Sequence, residues 1–502
     1  MRSKPLCLGL FIPLALAVAS DPLQGSVRLA TLCNFREIGR PTGRLLQDNE
    51  GNFYGTASGT EYVANRRHVH TSGAVFKISP QGQLLWQLQF PGTNDVFPAA
   101  GLFQDEEGFL YGTTFYGGIQ NQGTVFKVSA NGRFVWSTPF RGANGAGPFG
   151  ELVRGCDGFL FGTTVFGGAR SVGTVFRLTS EGVIKTIYSF GGTDGAHPSA
   201  GPVHGVDGYF YGTTQFGGSS FTFPFASGEG TIFRISCDGT LTTLYKFGNP
   251  TNLVSGGFGL NGSYPTGQLI QRNDGCFYGV AEGGLTSQGT NFWATIFKFD
   301  PNGTLITLLY FNTSQHDGAD PAGPLVTSND GGLYGATAQG GASADDGSPG
   351  YGTIFKITQS GIFLNLVSFY GTNGCNPFSG PIKGKDGNLY GTTHGNYYFP
   401  GTFFRVSISR PVVSIARPQQ IVHPTNAVVT VTGQTKSLAS VLDVFYQLNG
   451  GDWIEATTTN EWKNWAATVT LSSPKNILRA YAIDSSGDLS RTNRMKLLFV
   501  QP

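Results

Sequence analysis

The 502-residue chain carries 75 glycines and an aromatic complement of 40 Phe, 19 Tyr and 6 Trp, but only 13% charged residues. That length exceeds one ordinary domain, and the composition suits many short strands joined by tight turns rather than long amphipathic helices. The 33 basic and 31 acidic residues leave a formal charge of +2 with no basic run, so the multiple phosphate contacts of nucleic-acid binding have no source and that partner class is excluded.

Residues 1–20 begin with Arg2 and Lys4, continue as an apolar stretch from Leu6 to Val18, and end in small residues at Ala17-Val18-Ala19. This is the pattern of a secretory signal peptide. A membrane anchor needs ~20 apolar residues, and Pro13 and Asp21 cut this run short. No later segment is long and apolar enough to cross a bilayer, so the expectation is a secreted, periplasmic or cell-surface protein without a transmembrane segment, acting as a monomer. Removal of the signal leaves Cys33, Cys156, Cys237, Cys276 and Cys375. An odd number without CxxC spacing reads as scattered buried thiols, with neither a disulfide framework nor a zinc site.

From residue 41 a repeat dominates. The phrase GxxYGT or a near variant places an aromatic ring at Tyr54, Tyr111, Phe161, Tyr211, Tyr278, Tyr334 and Tyr390. Each copy holds four short apolar runs, as in GLFQ from Gly101, FLYGTT from Phe109, TVFKV from Thr124 and FVWSTPF from Phe134. These predict four strands. Polar links ending in glycine join the first run to the second and the third to the fourth, which suits hairpin turns.

Two intervals are constant. A proline stands 13 residues before each of the seven rings, at Pro41, Pro98, Pro148, Pro198, Pro265, Pro321 and Pro377. In six copies, 14 residues separate the Phe of the third run from the Phe ending the fourth, as from Phe126 to Phe140. Length varies only in the second-to-third and fourth-to-first connections. In an up-and-down sheet those two leave from the same end, which predicts one plain face and one elaborated face.

The seventh copy lacks a fourth run. At the other end, SVRLATLCNF (Ser26 to Phe35) resembles the fourth runs and precedes the first proline. Pairing it with the seventh copy balances the strand count and removes exposed sheet edges. The expected fold is therefore all-β: a seven-bladed β-propeller of four-stranded blades over residues 26–408, closed by the N-terminal strand 26–35.

At GFLYGTTFYGGIQNQGTVFKV (Gly108 to Val128) the chain resembles the GloVer tandem-repeat proteins, a bacterial family of exported proteins with interchangeable anchoring ends. The resemblance covers about residues 41–406. It implies export and a repeat fold, and supplies no catalytic residues.

After Arg410 the repeat stops. AVVTVTG, LDVFYQLNGG, WAATVTL, ILRAYAID and MKLLFV predict a small β-sandwich over residues 411–502. With GDWIEA at Gly451 and RAYAIDSSGDLS at Arg479, this part resembles bacterial immunoglobulin-like modules. Core packing is the expected use of most of Trp453, Trp462 and Trp465.

No GxSxG, HExxH, Walker-type or GxGxxG-helix arrangement is present. The Asp-Gly turns lack the alternating oxygen ligands of calcium loops, and the basic residues following the third-run Phe, such as Lys77 and Lys298, are expected to pair with nearby turn carboxylates or carbonyls. Neither metal nor cofactor is expected. Binding groups are sought on the elaborated face, because rigid scaffolds carry function on variable loops. The candidates are Arg66, Arg67, His68 and His70 in the first copy, Phe221, Phe223 and Phe225 in the fourth, Trp293 in the fifth, and His394, Tyr397, Tyr398 and Phe399 in the seventh. Aromatic rings with Arg and His suit glycan or peptide binding. The reading is an exported non-catalytic binding or scaffold protein whose partner is a polysaccharide or extracellular protein. Its rivals are a propeller polysaccharide lyase or glycosidase using His68, His394, Arg66 and the loop tyrosines, and a structural envelope or matrix protein.

Overall fold

The computed structural model describes residues 27–498 except 60, 65–66, 71, 91–96, 156–157, 220, 223–226, 249–261, 284–293, 312–317, 328–330, 343–349, 360, 409–411, 417–427, 437–440, 473–474 and 485–489. It is all-β among those residues, with antiparallel sheets throughout and no helix long and apolar enough to cross a membrane. Two compact units emerge, chiefly Ala30–Arg405 and Val406–Pro502.

In the first unit each repeat forms its own antiparallel sheet, with strands side by side in chain order. In the second repeat these are Phe103–Gln104, Leu110–Thr114, Thr124–Val128 and Phe134–Pro139. The first and third repeats split the first strand in two, as in Ala146–Pro148 and Val153–Arg154. The seventh sheet takes its outer strand from the other end of the chain: Val27–Asn34 lies beside Pro400–Ile408, followed by Leu389–Gly395 and Ile382–Lys383.

The second and third strands are buried on both faces, as Leu110–Thr114 and Thr124–Val128 show, whereas fourth strands such as Leu84–Gln89 alternate between exposed and half-buried. A strand buried on both faces must lie between two neighbours. Tyr54, Val75 and Phe90 of the first repeat pack with Leu102, Leu110 and Phe126 of the second. Equivalent clusters join the second repeat to the third, the third to the fourth, the fourth to the fifth and the fifth to the sixth. Between sixth and seventh, the Asn376 side chain donates to the Ala338 carbonyl at 3.1 Å. The seventh in turn meets the first, where Phe53 lies 4.5 Å from Tyr390 and 5.5 Å from Phe403. Each fully buried Phe contributes roughly 1.5–3 kcal/mol of transfer free energy.

First strands of neighbouring repeats approach most closely. A Cβ added to Gly150 would stand 2.0 Å from the Gly201 nitrogen, and one on Gly380 would stand 2.0 Å from the Pro324 carbonyl oxygen. Glycine there lets backbone meet backbone.

The plain end of each sheet is closed by the repeated turns. The Tyr211, Tyr278 and Tyr390 hydroxyls donate to Asp207, Asp274 and Asp386 at 2.7, 2.8 and 2.9 Å. The basic residue of the third strand completes this group: Lys77 pairs with Asp48 and Lys298 with Asp274, both at 3.0 Å. In the second repeat Lys127 lies 4.0 Å from the centre of the Phe109 ring. Burial raises the Asp48 carboxyl, but the hydrogen bonds from Lys77 and Asn52 and the Lys77 charge together outweigh it and hold the acid below its usual range.

Cys33 and Cys375 are free. Cys237 is disulfide-bonded, which corrects the expectation of five scattered thiols; its partner lies outside the described residues. Cys237 is partly buried against the core between the third and fourth repeats, whereas Cys276 and Cys375 are fully buried.

The second unit contains two sheets. Val412–Ile415, Val428–Lys436, Asn464–Thr470 and Thr457–Thr458 form one; Ile454–Glu455, Val441–Leu448, Lys475–Asp484 and Asn493–Leu498 form the other. Alternating burial along Val428–Lys436 marks one face turned to a core of Val431, Val444, Trp465, Leu478 and Ala480. Trp465 is fully buried and Trp462 packs against this core, while Trp453 stays exposed beside Tyr481, ring centres 4.7 Å apart.

Candidate functional site

The constant 13-residue interval fixes the residue before each proline opposite the end of the second strand. The bridges Pro98 to Thr114 and Ala196 to Phe216 and the pair Ala146 and Phe166 show this register. At this end, which also emits the length-variable connections, the residue before the proline is clamped twice. His197 N–H donates to the Val172 carbonyl of the preceding repeat at 2.8 Å, and its own carbonyl accepts from Gln215 N–H at 3.0 Å. Tyr264 and Asn376 are held in the same way, through Glu229 and Glu282 and through Tyr351 and His394.

The clamp imposes an unusual backbone. His197, Tyr264, Asp320 and Asn376 have φ of 53°, 56°, 55° and 55°. For a side-chain-bearing residue this left-handed conformation costs about 1–2 kcal/mol, and residues held so cluster at functional sites. Four polar or aromatic side chains are thereby presented from one structural position in four repeats.

Rings from this rim form an unbroken series. Phe97 contacts Tyr116 at 6.4 Å, Tyr116 contacts Phe115 at 4.7 Å, and Phe115 contacts both Phe149 at 5.6 Å and Phe166 at 6.2 Å. Phe166 meets His197 at 4.9 Å, His197 meets Phe216 at 5.4 Å, and Phe216 meets Tyr264 at 5.4 Å. The series runs from the second repeat into the fifth. Tyr116, Phe149 and Phe166 are 46%, 40% and 41% exposed, so these three rings face solvent, while Phe97, Phe115, His197, Phe216 and Tyr264 are half-buried.

Carboxylates follow where the rings stop. Burial raises the Glu229 carboxyl, and burial together with the nearby Asp320 charge raises Glu282. Asp320 is itself raised by its surroundings, against a hydrogen bond from Gln339. Farther round, His394 lies 4.8 Å from the Phe378 ring, its Nδ1 3.1 Å from the Gly395 carbonyl oxygen. Burial depresses its pKa to about 4, and the neighbouring Arg40 charge acts in the same direction. At neutral pH His394 is therefore an uncharged hydrogen-bonding group.

Three residues past the proline, the repeats place Arg44, Glu151 and Gln268. Gly101 leaves the room that Glu151 enters: a Cβ there would be 2.2 Å from Glu151 Oε1. Burial raises the Glu151 carboxyl, opposed by the Arg44 charge, and Arg44 Nε has no hydrogen-bond partner.

Among the loop candidates, Arg67, His68 and His70 form the second strand of a separate hairpin with Glu61–Ala64, with His70 opposite Glu61; their side chains, like Arg66, lie outside the described part. Phe223, Phe225 and Trp293 also lie outside the described residues. Phe221 packs on Gly192 and joins the core between the third and fourth repeats. Tyr397 and Tyr398 are 90% and 80% exposed and touch edge to face at 5.4 Å. Phe399 covers Gly371 and lies 6.0 Å from Tyr351. A cavity of about 280 Å³ beside it is lined by Thr31, Cys33 and Thr402, where burial pushes the Cys33 thiol up to about 11 and leaves it un-ionised.

The ring series was absent from the sequence-based candidates because it arises at fixed-length positions. Its signal is variation of residue type inside a constant interval: Arg40, Phe97, Gly147, His197, Tyr264, Asp320 and Asn376 occupy one position.

Compared with known families, the chain matches the Gloeobacter/Verrucomicrobia repeat over residues 40–284 and again over 226–437. The chain belongs to the Gloeobacter/Verrucomicrobia repeat family. No curated protein matches it. Among solved structures it is similar to a fungal alcohol oxidase of the AA5 family in complex with copper, at 12% identity and TM-score 0.47, covering 94% of this chain and 99% of that one. A putative 6-phosphogluconolactonase from Bacteroides fragilis shares 17% identity at TM-score 0.40, with 69% and 89% covered. A xylan β-1,4-xylosidase from Bacillus halodurans shares 11% identity at TM-score 0.30, with 93% and 92% covered. At such scores none of the three bears on what this Gloeobacter/Verrucomicrobia repeat protein does.

Proposed function

We propose that the seven repeat sheets close into a seven-bladed β-propeller, followed by an immunoglobulin-like module, and that this exported protein binds a polysaccharide across the rim of the ring without transforming it. The observation that carries the reading is the series of rings from Phe97 to Tyr264, in which Tyr116, Phe149 and Phe166 are exposed and the others half-buried. Aromatic faces match the apolar C–H faces of sugar rings, and a run of them suits a polymer of such units. Rings already in mutual contact lose little freedom when a ligand lands on them. Tyr397, Tyr398 and His394, with His68 and His70 of the hairpin, are proposed to border the same ligand.

A glycosidase is the second reading, favoured by one observation. Burial and the Asp320 charge raise the Glu282 carboxyl, against a hydrogen bond from Thr266, which is the direction of shift a general acid needs.

A glycan array with the secreted chain, followed by product analysis on each hit, tests both. Binding with intact product is expected; cleaved product would replace the first reading by the second. Against an array-identified ligand, Tyr116→Ala and Phe166→Ala are each expected to weaken binding roughly tenfold or more, the scale of about 1–3 kcal/mol per stacked ring.

A further inference from the structure

The second unit carries a ring cluster of its own, outside its core. Phe445 and Tyr481 stand opposite each other on Val441–Leu448 and Lys475–Asp484, stacked with ring centres 5.3 Å apart. Trp453, next to the short edge strand Ile454–Glu455, meets Tyr481 edge to face at 4.7 Å and is 39% exposed. The core is filled from the opposite face of the same strands by Val444, Leu478, Ala480 and Ala482, and none of the three rings belongs to it. The outward face of the other sheet has no counterpart, presenting Thr430, Thr432, Thr468 and Thr470 instead.

Side chains alternate along a strand, so Gln447 and Arg479 share the outward face with Phe445 and Tyr481. They too are opposite partners, and Arg479 donates to Gln447 Oε1 at 3.3 Å. The register continues this row to Arg494 on the next strand, and Lys496, opposite Ile477, lies on the same face with Lys475. Lys475, Arg479, Arg494 and Lys496 are all exposed. Among the described residues, Arg479, Arg494 and Lys496 form no ion pair. The acids of this face, Asp443 and Glu455, lie on the far side of Phe445 from the basic strip.

This face therefore has an aromatic half and a cationic half. Ring faces suit the apolar C–H faces of sugars, and a guanidinium holds a carboxylate through paired, charge-assisted hydrogen bonds. Same-face neighbours on a strand stand about 7 Å apart, so Tyr481 and Arg479 reach adjoining parts of one ligand. A neutral glycan would use the rings and leave the cations idle. An acidic peptide would use the cations and leave the rings. A chain of carboxylate-bearing sugars uses both.

We propose that this face binds an anionic polysaccharide built from uronate sugars, with a sugar ring against Trp453 and Tyr481 and a carboxylate at Arg479 and Arg494. The site uses no residue of the rim and stands or falls independently of the rim reading.

Calorimetry with the full chain tests it, using hexamers of galacturonate, mannuronate and guluronate and the methyl ester of each. At least one uronate hexamer is expected to bind about tenfold or more tighter than its ester, the scale of one charge-assisted hydrogen bond, and the preference should shrink as salt is added. Trp453→Ala is expected to weaken that hexamer roughly fivefold or more, and Arg479→Gln to reduce its advantage over the ester, with melting temperatures unchanged because both side chains are exposed. The chain carrying Tyr116→Ala and Phe166→Ala should keep its uronate affinity. Binding of no uronate hexamer, or equal affinity for acid and ester, would overturn the inference and leave the rim reading to its own array test. Uronate binding lost in the rim variant but undiminished in Trp453→Ala would overturn it in favour of the rim. A glutamate hexapeptide binding as tightly as the best uronate would overturn it in favour of a protein partner.

Discussion

Gly112 and Phe126 face each other across the second and third strands, and a Cβ on the glycine would lie 2.4 Å from the ring Cζ. The same contact recurs at 2.2 to 2.6 Å in the other repeats, as between Gly335 and Phe355 and between Gly212 and Phe233. The two most regular letters of the repeat are thus one packing unit: the tip of the ring fills the space that a Cβ on the glycine would take. Gly112→Ala is expected to cost about 1–3 kcal/mol through overpacking, and adding Phe126→Leu should recover part of that loss. Urea unfolding of the four variants of this cycle measures it, and additive losses would refute the pairing.

His394 supplies a second test at this scale. Its pKa is about 4 in the folded chain against the usual 6.5, so the unfolded chain binds the extra proton between those values. Its contribution is full above about pH 6.5 and declines as pH falls toward 4. Glu151, Glu229, Glu282 and Asp320, raised in the fold, act in the opposite sense. The readout is therefore the difference between wild type and His394→Gln: the variant's melting temperature should fall less between pH 7 and pH 5. Parallel falls would show that His394 is not buried neutral.

Among the elements, the second-to-third strand pair is latched by threonines. Thr114 and Thr124 hydroxyls are 2.9 Å apart, and Thr164 with Thr174, Thr214 with Thr231, Thr337 with Thr353 and Thr393 with Thr402 are each 2.8 Å apart. The fifth repeat has Ala281 opposite Thr295, and Thr295 Oγ1 is left buried without a partner. Ala281→Thr is expected to stabilise the chain by about 1 kcal/mol, seen as a raised denaturation midpoint; no change would mean the latch adds nothing there.

The N-terminal strand was legible from SVRLATLCNF and the strand missing from the seventh repeat. Its place beside Pro400–Ile408 is reinforced where Phe35 N–H donates to the Gly401 carbonyl at 2.8 Å and its ring lies 4.9 Å from Phe76. A chain beginning after residue 36 should expose the Pro400–Ile408 edge and aggregate. A synthetic peptide of residues 26–36 should suppress that aggregation in light scattering. Equal solubility with and without the strand would contradict a closing role.

For the whole molecule, the strand plan could be read from the sequence because two constant intervals record rigid hairpins, and the turn carboxylates could be matched to the basic residues that follow each third-strand Phe. The rim could not. Phe166, His197, Phe216 and Tyr264 come from three repeats and touch only because neighbouring first strands approach backbone to backbone. Length variation drew attention to the loops, whereas these residues vary in kind at constant spacing. Phe221 shows the converse: an aromatic in a long connection whose ring is spent on core packing.

The central claim is that the ring series binds a polysaccharide. Its most direct measurement is calorimetric affinity for the best array ligand in wild type, Tyr116→Ala, Phe166→Ala and the doubly substituted chain. The account predicts roughly tenfold or greater weakening for each single change and near-complete loss for the pair, with melting temperature unchanged because both rings are solvent-facing. Undiminished affinity in the doubly substituted chain would contradict it and move the binding surface elsewhere on the protein.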